Sequence, residues 1–456
     1  MEKNEKGNLI AEGKTKKVWE AVIGADNKAR LISNDKVIIE NKKDITAFDD
    51  PEFTKQFATK ATHATETTCR VFELLKKAGI PVAYERQISD TEFLAQKCKM
   101  IPLESVVRRF AVGSYLKRHP ELAKKENENP YYFHRLLTEY FLKTTKGKLV
   151  SGSEILVDGL DPKKGEEDPL IINPQNELWE LHHPKKPIWD KEVNLNRTIQ
   201  ANDVLPRLNF TSGEGACFNV MDSYLRKAFL VLEGMWKIMG LRLIDMKIEF
   251  GLTTERKIVI SDVIDNDSWR LRDNDWKELS KESFRQGEEL SEVEKKYGIV
   301  ADLVKNFKFS KQALVFWTGS KSDKRPEIPA KLKDSHAFTP VYVTISGHKA
   351  TRIFLNALDE LMVNHPEGGV ILAKIGMSNG AGPILAPHTS WPVISIPASL
   401  KEFPEDIWSN VRMPSDVPML VTNTDQNAID AALNILAQKN PIAYMHRQLR
   451  IEELDI

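Results

Sequence analysis

Near its start the chain carries Glu12-Gly13-Lys14-Thr15-Lys16-Lys17. A glycine there lets backbone N–H groups approach an anion, and the ammonium groups that follow neutralise it. The spacing differs from the G-x-x-x-x-G-K-[ST] phosphate loop, and a charged hairpin turn has the same composition. Further along, Asp245-Met246-Lys247-Ile248-Glu249-Phe250-Gly251 alternates charged and apolar residues, which on a strand puts Asp245, Lys247 and Glu249 on one face. Half-buried sheets commonly read this way. The nearby Ile258-Val259-Ile260-Ser261-Asp262 adds a carboxylate that can stand across from Glu249. Such a pair can hold Mg²⁺ while Lys247 meets a nucleotide phosphate. Lys247 and Asp245 are the catalytic candidates of this strand. A third cluster, Arg108-Arg109, Gly113-Ser114 and Lys117-Arg118, has guanidinium groups that pair phosphate or carboxylate bidentately and a serine as short donor. An exposed basic helix would carry the same residues.

Three further segments share one pattern. Gly319-Ser320-Lys321-Ser322-Asp323, Ser346-Gly347-His348-Lys349 and Gly376-Met377-Ser378-Asn379-Gly380-Ala381-Gly382-Pro383 each follow a short apolar run. In an open parallel sheet such loops converge on one crevice at the C-terminal strand ends. His348 is the obvious proton carrier among them near neutral pH.

These residues need scaffolds, and 456 residues suggest two or three domains. Residues 313–456 hold 13 Lys+Arg and 15 Asp+Glu, against 52 and 50 in residues 1–312, together with 12 of the 23 prolines. That reads as a dense αβ unit with short loops after a more charged one. The charge-rich stretch Trp276 to Phe309 is nearly free of breakers and predicts one or two exposed helices between them. In the first unit, Lys16 to Ile39 predicts a small antiparallel sheet. Thr62 to Ala78 predicts a helix with Val71, Leu74 and Leu75 on one face, and Asn219 to Met239 a second amphipathic helix. Residues 143–212 are polar with little periodicity and read as a long excursion.

Composition narrows the function. Equal counts of 65 basic and 65 acidic residues exclude the broad basic surface of a general nucleic-acid or anionic-membrane binder. With 29% charged and 41% hydrophobic residues the chain is neither disordered nor fibrous. Three dispersed cysteines, Cys69, Cys98 and Cys217, indicate neither a disulfide framework nor a structural zinc site. No apolar run reaches the roughly 20 residues of a membrane span, and the start lacks a signal-peptide core. A cytoplasmic location is expected.

Together these motifs resemble the animal bifunctional purine-synthesis enzymes that join a phosphoribosylaminoimidazole-succinocarboxamide synthase to a phosphoribosylaminoimidazole carboxylase. The resemblance runs over nearly the whole chain. AEGKTKKVWE at the start, MIPLESVVRRFAVGSYLKR at 100–118, LIDMKIEFG with SDVIDNDSWRL at 243–271 and the three loops in order carry it most specifically. It implies an α/β and α+β chain with three parts: a two-lobed ATP-binding ligase domain over 1–275, a helical connection over 276–312 packed on it, and a three-layer αβα parallel-sheet carboxylase domain over 313–456.

In that family, aminoimidazole ribonucleotide (AIR) is carboxylated by CO2 to CAIR with neither biotin nor ATP. CAIR is then joined to L-aspartate with ATP and Mg²⁺, giving SAICAR, ADP and phosphate. The resemblance implies that Gly13, Lys14 and Lys16 lie over the ATP phosphates with Lys247, and that Glu249 and Asp262 hold Mg²⁺. Arg108, Ser114 and Arg270 would grip the ribonucleotide 5′-phosphate. Asp44 and Lys60 fall at acidic and basic active-site positions, and Asp168-Pro169 matches a dipeptide near the aspartate site. In the second unit, Gly319, Ser320 and Asp323 would bind the ribose phosphate end, Ser346 and Lys349 the phosphate or carboxylate, and Ser378, Asn379, Gly380 and Gly382 would frame the ligand. His348 would carry the proton.

A homo-octamer through the C-terminal domain is implied, with small-molecule substrates and neither nucleic acid nor membrane as partner. The chain departs from the family pattern at Gly347, where alanine is usual, at Ala350-Thr351, at Met377, where a basic residue is usual, and at Pro326 and Pro329, where a helix should begin. A ligase whose second unit is kept only for assembly is therefore the alternative. A phosphate-ligand or nucleic-acid binder using Lys14, Arg108 and Arg118 is a further one, against which the Glu249/Asp262 pair argues.

Overall fold

The alternation after Lys16 forms antiparallel strands. In the computed structural model, which describes residues 3–24, 31–46, 54–125, 128–151, 154–187, 189, 195, 197–204, 215–285 and 287–454, the strands Lys3–Glu12, Lys16–Gly24 and Leu31–Asn41 pair in that order. They continue through Glu92–Gln96 to Tyr84–Ser89 as a five-stranded antiparallel sheet. The helix Lys60–Lys77 follows its predicted face, burying Val71, Leu74 and Leu75.

A second, eight-stranded sheet supplies the other wall of the first unit. Its order is Arg197–Gln200, Leu178–His182, Leu170–Ile172, Tyr132–Leu142, Cys98–Phe110, Arg242–Thr253 and Ile258–Ile260, with Trp269–Arg272 also paired to Arg242–Thr253. The helix Gly215–Ile238 lies against its two central strands. Leu225, Phe229, Leu232 and Trp236 are fully buried there, each burial contributing roughly 1.5–3 kcal/mol.

Two sequence expectations change. The excursion at 143–212 contains the strands Leu149–Ser151, Glu154–Val157, Leu170–Ile172, Leu178–His182 and Arg197–Gln200. None exceeds five residues, too few to leave a period in the sequence; the neighbouring strand Tyr132–Leu142 offers the edge on which the last three build. The charge-rich stretch holds the helices Glu282–Arg285 and Leu290–Val304, but the longer one is not simply exposed. Val293, Tyr297, Val300, Ala301 and Val304 form a buried face, and the helix packs on Lys60–Lys77.

The chain divides into the units Met1–Phe307 and Lys308–Ile456. The second is built on a five-stranded sheet, all parallel, in the order Thr339–Thr344, Ala313–Thr318, Gly369–Ile375, Val393–Pro397, Met419–Val421. The chain starts in an inner strand, adds one neighbour, then returns to the other side, which creates a topological switch beside Ala313–Thr318. The helix Thr351–Asn364 packs through Phe354 and Leu358 on this sheet, and the helix Asp425–Leu436 contacts Gly369–Ile375 and Val393–Pro397. One face is filled by Val315, Trp317, Phe354, Leu358, Ile371 and Ala373. Where Pro326 and Pro329 interrupt the chain, only the single 3-10 turn Ala330–Leu332 forms. Among the described residues no helix is long and apolar enough to cross a membrane.

Candidate functional site

Register decides which charges meet in the first unit. Asp245 pairs with Arg108 on one neighbouring strand and with Arg270 on the other. Its Oδ2 accepts from Arg108 Nη1 and from Arg270 Nη1, each at 2.5 Å. Alternation sends the adjacent Arg109 to the opposite face, where Glu233 of the helix Gly215–Ile238 takes its Nε at 2.7 Å and its Nη2 at 3.0 Å. The basic pair in the sequence is thus split: Arg108 faces a cavity, Arg109 fastens a helix. Ser114 stands 3.4 Å from Arg108 Nη2. Gly113 is needed beside it, because its φ is +61° and a Cβ would lie 2.7 Å from Arg270 Nη2.

The cavity, about 820 Å³, lies between the two sheets of this unit. Its apolar lining includes Val18, Val37, Ile39, Ala95, Met100 and Met246, the chemistry a flat heterocycle selects. Its cations are Lys14, Lys16, Lys143 and Lys247, with Arg108 and Arg270 beside Ser114. Lys247 contacts Glu104 Oε1 at 2.6 Å, Lys143 contacts Glu249 Oε1 at 2.7 Å, and Lys16 contacts Asp262. Each phosphate-binding lysine candidate named from sequence, Lys14, Lys16 and Lys247, lines the cavity, as do Asp245, Glu249, Asp262, Arg108, Ser114 and Arg270.

Gly13 closes the hairpin behind them, its N–H donating to Lys16 O at 2.9 Å. Asp44 and Lys60 do not line the cavity. Asp44 takes Gln56 at 2.5 Å and Lys42 at 3.1 Å. Lys60 is buried against Asp265 and Asp267 at 3.5 and 3.2 Å, and these two aspartates are what reaches the wall.

Electrostatics sort the carboxylates. Burial alone would raise Glu249, but Lys143, Lys247 and Lys16 outweigh it and hold the carboxyl below its ordinary range. Burial pushes the Lys16 ammonium down to about 8, against the attraction of Glu249 and Asp265. Asp168 behaves oppositely: burial and the nearby Glu104 push it up to about 7, although Thr144 N–H donates to it at 2.6 Å. Lys143, Glu104, Lys185 and Lys281 are cavity residues that sequence reasoning missed. Lys143 follows the strand Tyr132–Leu142 without a motif around it, and Glu104 shows only by facing Glu249 across the register.

Among the described residues no group of three or more His, Cys, Asp or Glu side chains is placed to hold a metal. Glu249 and Asp262, both on the cavity, are a two-carboxylate set. Mg²⁺ is commonly held by one or two carboxylates with waters and substrate phosphates supplying the rest, so the residues present fit that ion in the company of a nucleotide.

In the second unit the loops 319–323, 346–349 and 376–382 all follow the C-terminal ends of the sheet's strands at the switch. Asp323 Oδ2 accepts Gly319 N–H and Ser320 N–H at 3.0 and 2.9 Å, so it shapes its own loop. Ser346 Oγ accepts Lys349 N–H at 3.3 Å. Ser378 holds φ +58°, and its N–H donates to Asp406 at 2.8 Å. Asn379 is buried and spent: it donates to Ser395 and Asn410 at 2.8 Å and accepts Gly382 N–H at 3.0 Å. It frames the loop rather than offering a free amide.

The second and third loops interlock. A Cβ at Gly347 would lie 2.1 Å from Gly380 O, and one at Gly380 would lie 2.3 Å from His348 Nε2. The His348 ring therefore rests on the bare Cα of Gly380, and Gly347 accommodates the carbonyl. His348 is exposed.

Comparison with known proteins gives two family matches. A model described as SAICAR synthetase matches residues 9–158 and 185–302, and one described as AIR carboxylase matches 314–452. The chain is 33% identical over 450 residues to the probable multifunctional protein ADE2 of Caenorhabditis elegans, covering 96% of this chain and 91% of that protein. It is 30% identical over 458 residues to the human bifunctional phosphoribosylaminoimidazole carboxylase/phosphoribosylaminoimidazole succinocarboxamide synthetase, covering 96% and 92%. A solved phosphoribosylaminoimidazole-succinocarboxamide synthase from Ehrlichia chaffeensis superposes with a TM-score of 0.46 at 20% identity, covering 66% of this chain and all of that one.

Proposed function

The chain belongs to the family of bifunctional AIR carboxylase/SAICAR synthetase enzymes of purine biosynthesis, and from that premise we propose how its residues divide the two reactions. The first unit ligates CAIR to L-aspartate. The γ-phosphoryl of ATP passes to the CAIR carboxylate, forming an acyl phosphate and ADP. The aspartate amine then attacks the acyl carbon, phosphate leaves, and the amine nitrogen gives up a proton.

The observation that carries this reading is the clamp of Arg108 and Arg270 on Asp245, in one cavity with Lys14, Lys16 and Lys247. The apolar lining takes the adenine. Lys14, Lys16 and Lys247 meet the ATP phosphates, with Gly13 shaping the turn. Arg108, Arg270 and Ser114 bind the ribonucleotide phosphate. Asp245, saturated by two guanidinium groups, positions them rather than touching substrate. Glu249 and Asp262 would hold Mg²⁺, which neutralises charge on the phosphates when bound. Their lysine partners Lys143 and Lys16 then turn to phosphate oxygens. Asp44 and Lys60 act from behind the wall, Lys60 through Asp265 and Asp267.

In the second unit the electron-rich carbon of AIR attacks CO2, and the ring proton at that carbon leaves to His348. Gly319, Ser320 and Asp323 receive the ribose phosphate end, and Ser346 and Lys349 the phosphate or carboxylate. Ser378, Gly380 and Gly382 frame the ligand through the shape of their loop, which the Ser378 N–H bond to Asp406 and the Gly382 N–H bond to Asn379 maintain. The proposed division of labour is a ligase part over 1–275, a connection over 276–312 whose helix Leu290–Val304 packs on Lys60–Lys77, and a carboxylase part over 313–456. We further propose a homo-octamer through the second unit, a cytoplasmic location, no biotin, and neither nucleic acid nor membrane as partner.

Met377, 68% exposed where the family has a basic residue, favours one second reading: a ligase with a non-catalytic second unit. Two variants of the full chain separate the cases. Glu249→Gln should abolish ADP release with CAIR and aspartate while leaving AIR carboxylation intact, and His348→Asn the reverse. Absence of carboxylation in the parent chain supports the second reading; loss of both activities in either variant contradicts the division of roles.

A further inference from the structure

Two buried charged side chains in the ligase unit have no place in the roles above. Arg118 is fully buried, and Glu139 and Arg108 are each less than a tenth exposed. Glu139 Oε2 accepts from Arg108 Nε at 2.7 Å, and its Oε1 accepts from Arg118 Nη2. The other arm of Arg118, Nη1, donates to the carbonyl of Pro184, and its Nε has no hydrogen-bond partner. Burying a guanidinium with one N–H unsatisfied opposes folding, and buried ion clusters are weak evidence for stability in general. The cluster has a more direct consequence for geometry.

Arg108 is held on two sides, by Glu139 at Nε and by Asp245 at Nη1, which fixes the plane of its guanidinium. The Nη2 end is left beside Ser114 on the cavity wall. Register explains why Glu139 can do this. It pairs with Val106, two residues along the strand from Arg108 and therefore on the same face. Arg118 lies at the end of the short helix that begins with Ser114, and the segment it reaches, Pro184 with Lys185, also lines the cavity. One chain of contacts, Asp245–Arg108–Glu139–Arg118–Pro184, therefore joins the guanidinium pair to the Pro184–Lys185 part of the cavity lining.

We propose that Glu139 and Arg118 are positioning residues for the ligation. Glu139 sets the plane in which Arg108 meets the ribonucleotide phosphate, and Arg118 ties that setting to the Pro184–Lys185 wall. Neither touches substrate. A planar guanidinium binds phosphate through two parallel N–H groups only when its plane is aimed, so releasing Glu139 weakens that contact while the charge remains. The proposal rests on Arg108 being part of the phosphate clamp.

Steady-state kinetics of the full-length chain test it, with CAIR and ATP varied separately. Glu139→Gln should raise KM for CAIR on the order of 10- to 100-fold, leaving KM for ATP and kcat within about threefold, a split that general loss of structure would not produce. Glu139→Asp should recover part of the rise. Arg108→Met checks the premise: if KM for CAIR does not move, the clamp reading itself fails. If Arg108→Met raises it and Glu139→Gln does not, or if Glu139→Gln lowers kcat and weakens ATP equally, the positioning role is overturned. Should Glu139→Gln not yield folded protein, Arg118→Lys carries the test. It keeps a cation beside Glu139 but cannot span to Pro184, so a selective rise in KM for CAIR supports the proposal and an unchanged value overturns it.

Discussion

Asp168 shows how far a single residue's surroundings can move its chemistry. Its carboxyl ionises near 3.8 when free of the fold and near about 7 within it, because burial and the neighbouring Glu104 disfavour the anion. Below about pH 4 both states hold the proton and the site costs nothing. As pH rises from about 4 towards about 7 the unfolded chain gains by ionising first, and stability falls. Asp168→Asn removes that slope. Its melting temperature relative to the parent should climb between pH 4 and 7 and level off above; a difference independent of pH would show that the carboxyl is not perturbed. Other single residues were legible in the sequence by type alone. Lys14, Lys16, Lys247, Glu249 and Asp262 share the cavity as their chemistry suggested. Asp245 was legible as a site residue, but the two arginines on its carboxylate show only in the strand register.

At the scale of elements, period and register account for what the sequence did and did not reveal. Alternation in Arg242–Thr253 was readable because the strand is 12 residues long. The short strands between 149 and 200 were not, since none exceeds five residues and those from 170 onward build on the edge of Tyr132–Leu142. The separation of Arg108 from Arg109 follows once the segment is known to be a strand. The docking of the loops at 346–349 and 376–382 is a tertiary fact. Gly347 departs from the family's alanine, yet in this fold a Cβ would meet Gly380 O at 2.1 Å and Ile384 Cδ1 at 3.0 Å. Restoring the family residue should therefore harm this chain. Gly347→Ala is expected to lower AIR carboxylation on the order of 10-fold or more by moving the His348 loop, with ligation by the same polypeptide unchanged. Carboxylation at the parental rate would mean that the loops do not dock this tightly.

The whole molecule carries no net charge, with 65 basic and 65 acidic residues, so neither reaction relies on a broad field to gather its anionic substrates. On the proposed division recognition is local: in a cavity of about 820 Å³ lined by lysines and arginines, and at the loops that follow the C-terminal strand ends of a parallel sheet. The division into Met1–Phe307 and Lys308–Ile456 gives each chemistry its own core, and the sequence announced this through its change in charge density. The central claim is that one chain performs both steps, each in its own unit. The most direct measurement supplies the purified full-length chain with AIR, bicarbonate-derived CO2, L-aspartate, ATP and Mg²⁺, and follows SAICAR and ADP together. The account predicts one ADP per SAICAR formed, and, when aspartate and ATP are withheld, conversion of AIR to CAIR without nucleotide turnover. Failure to release ADP when CAIR and aspartate are provided, or failure to carboxylate AIR under any of these conditions, would contradict it.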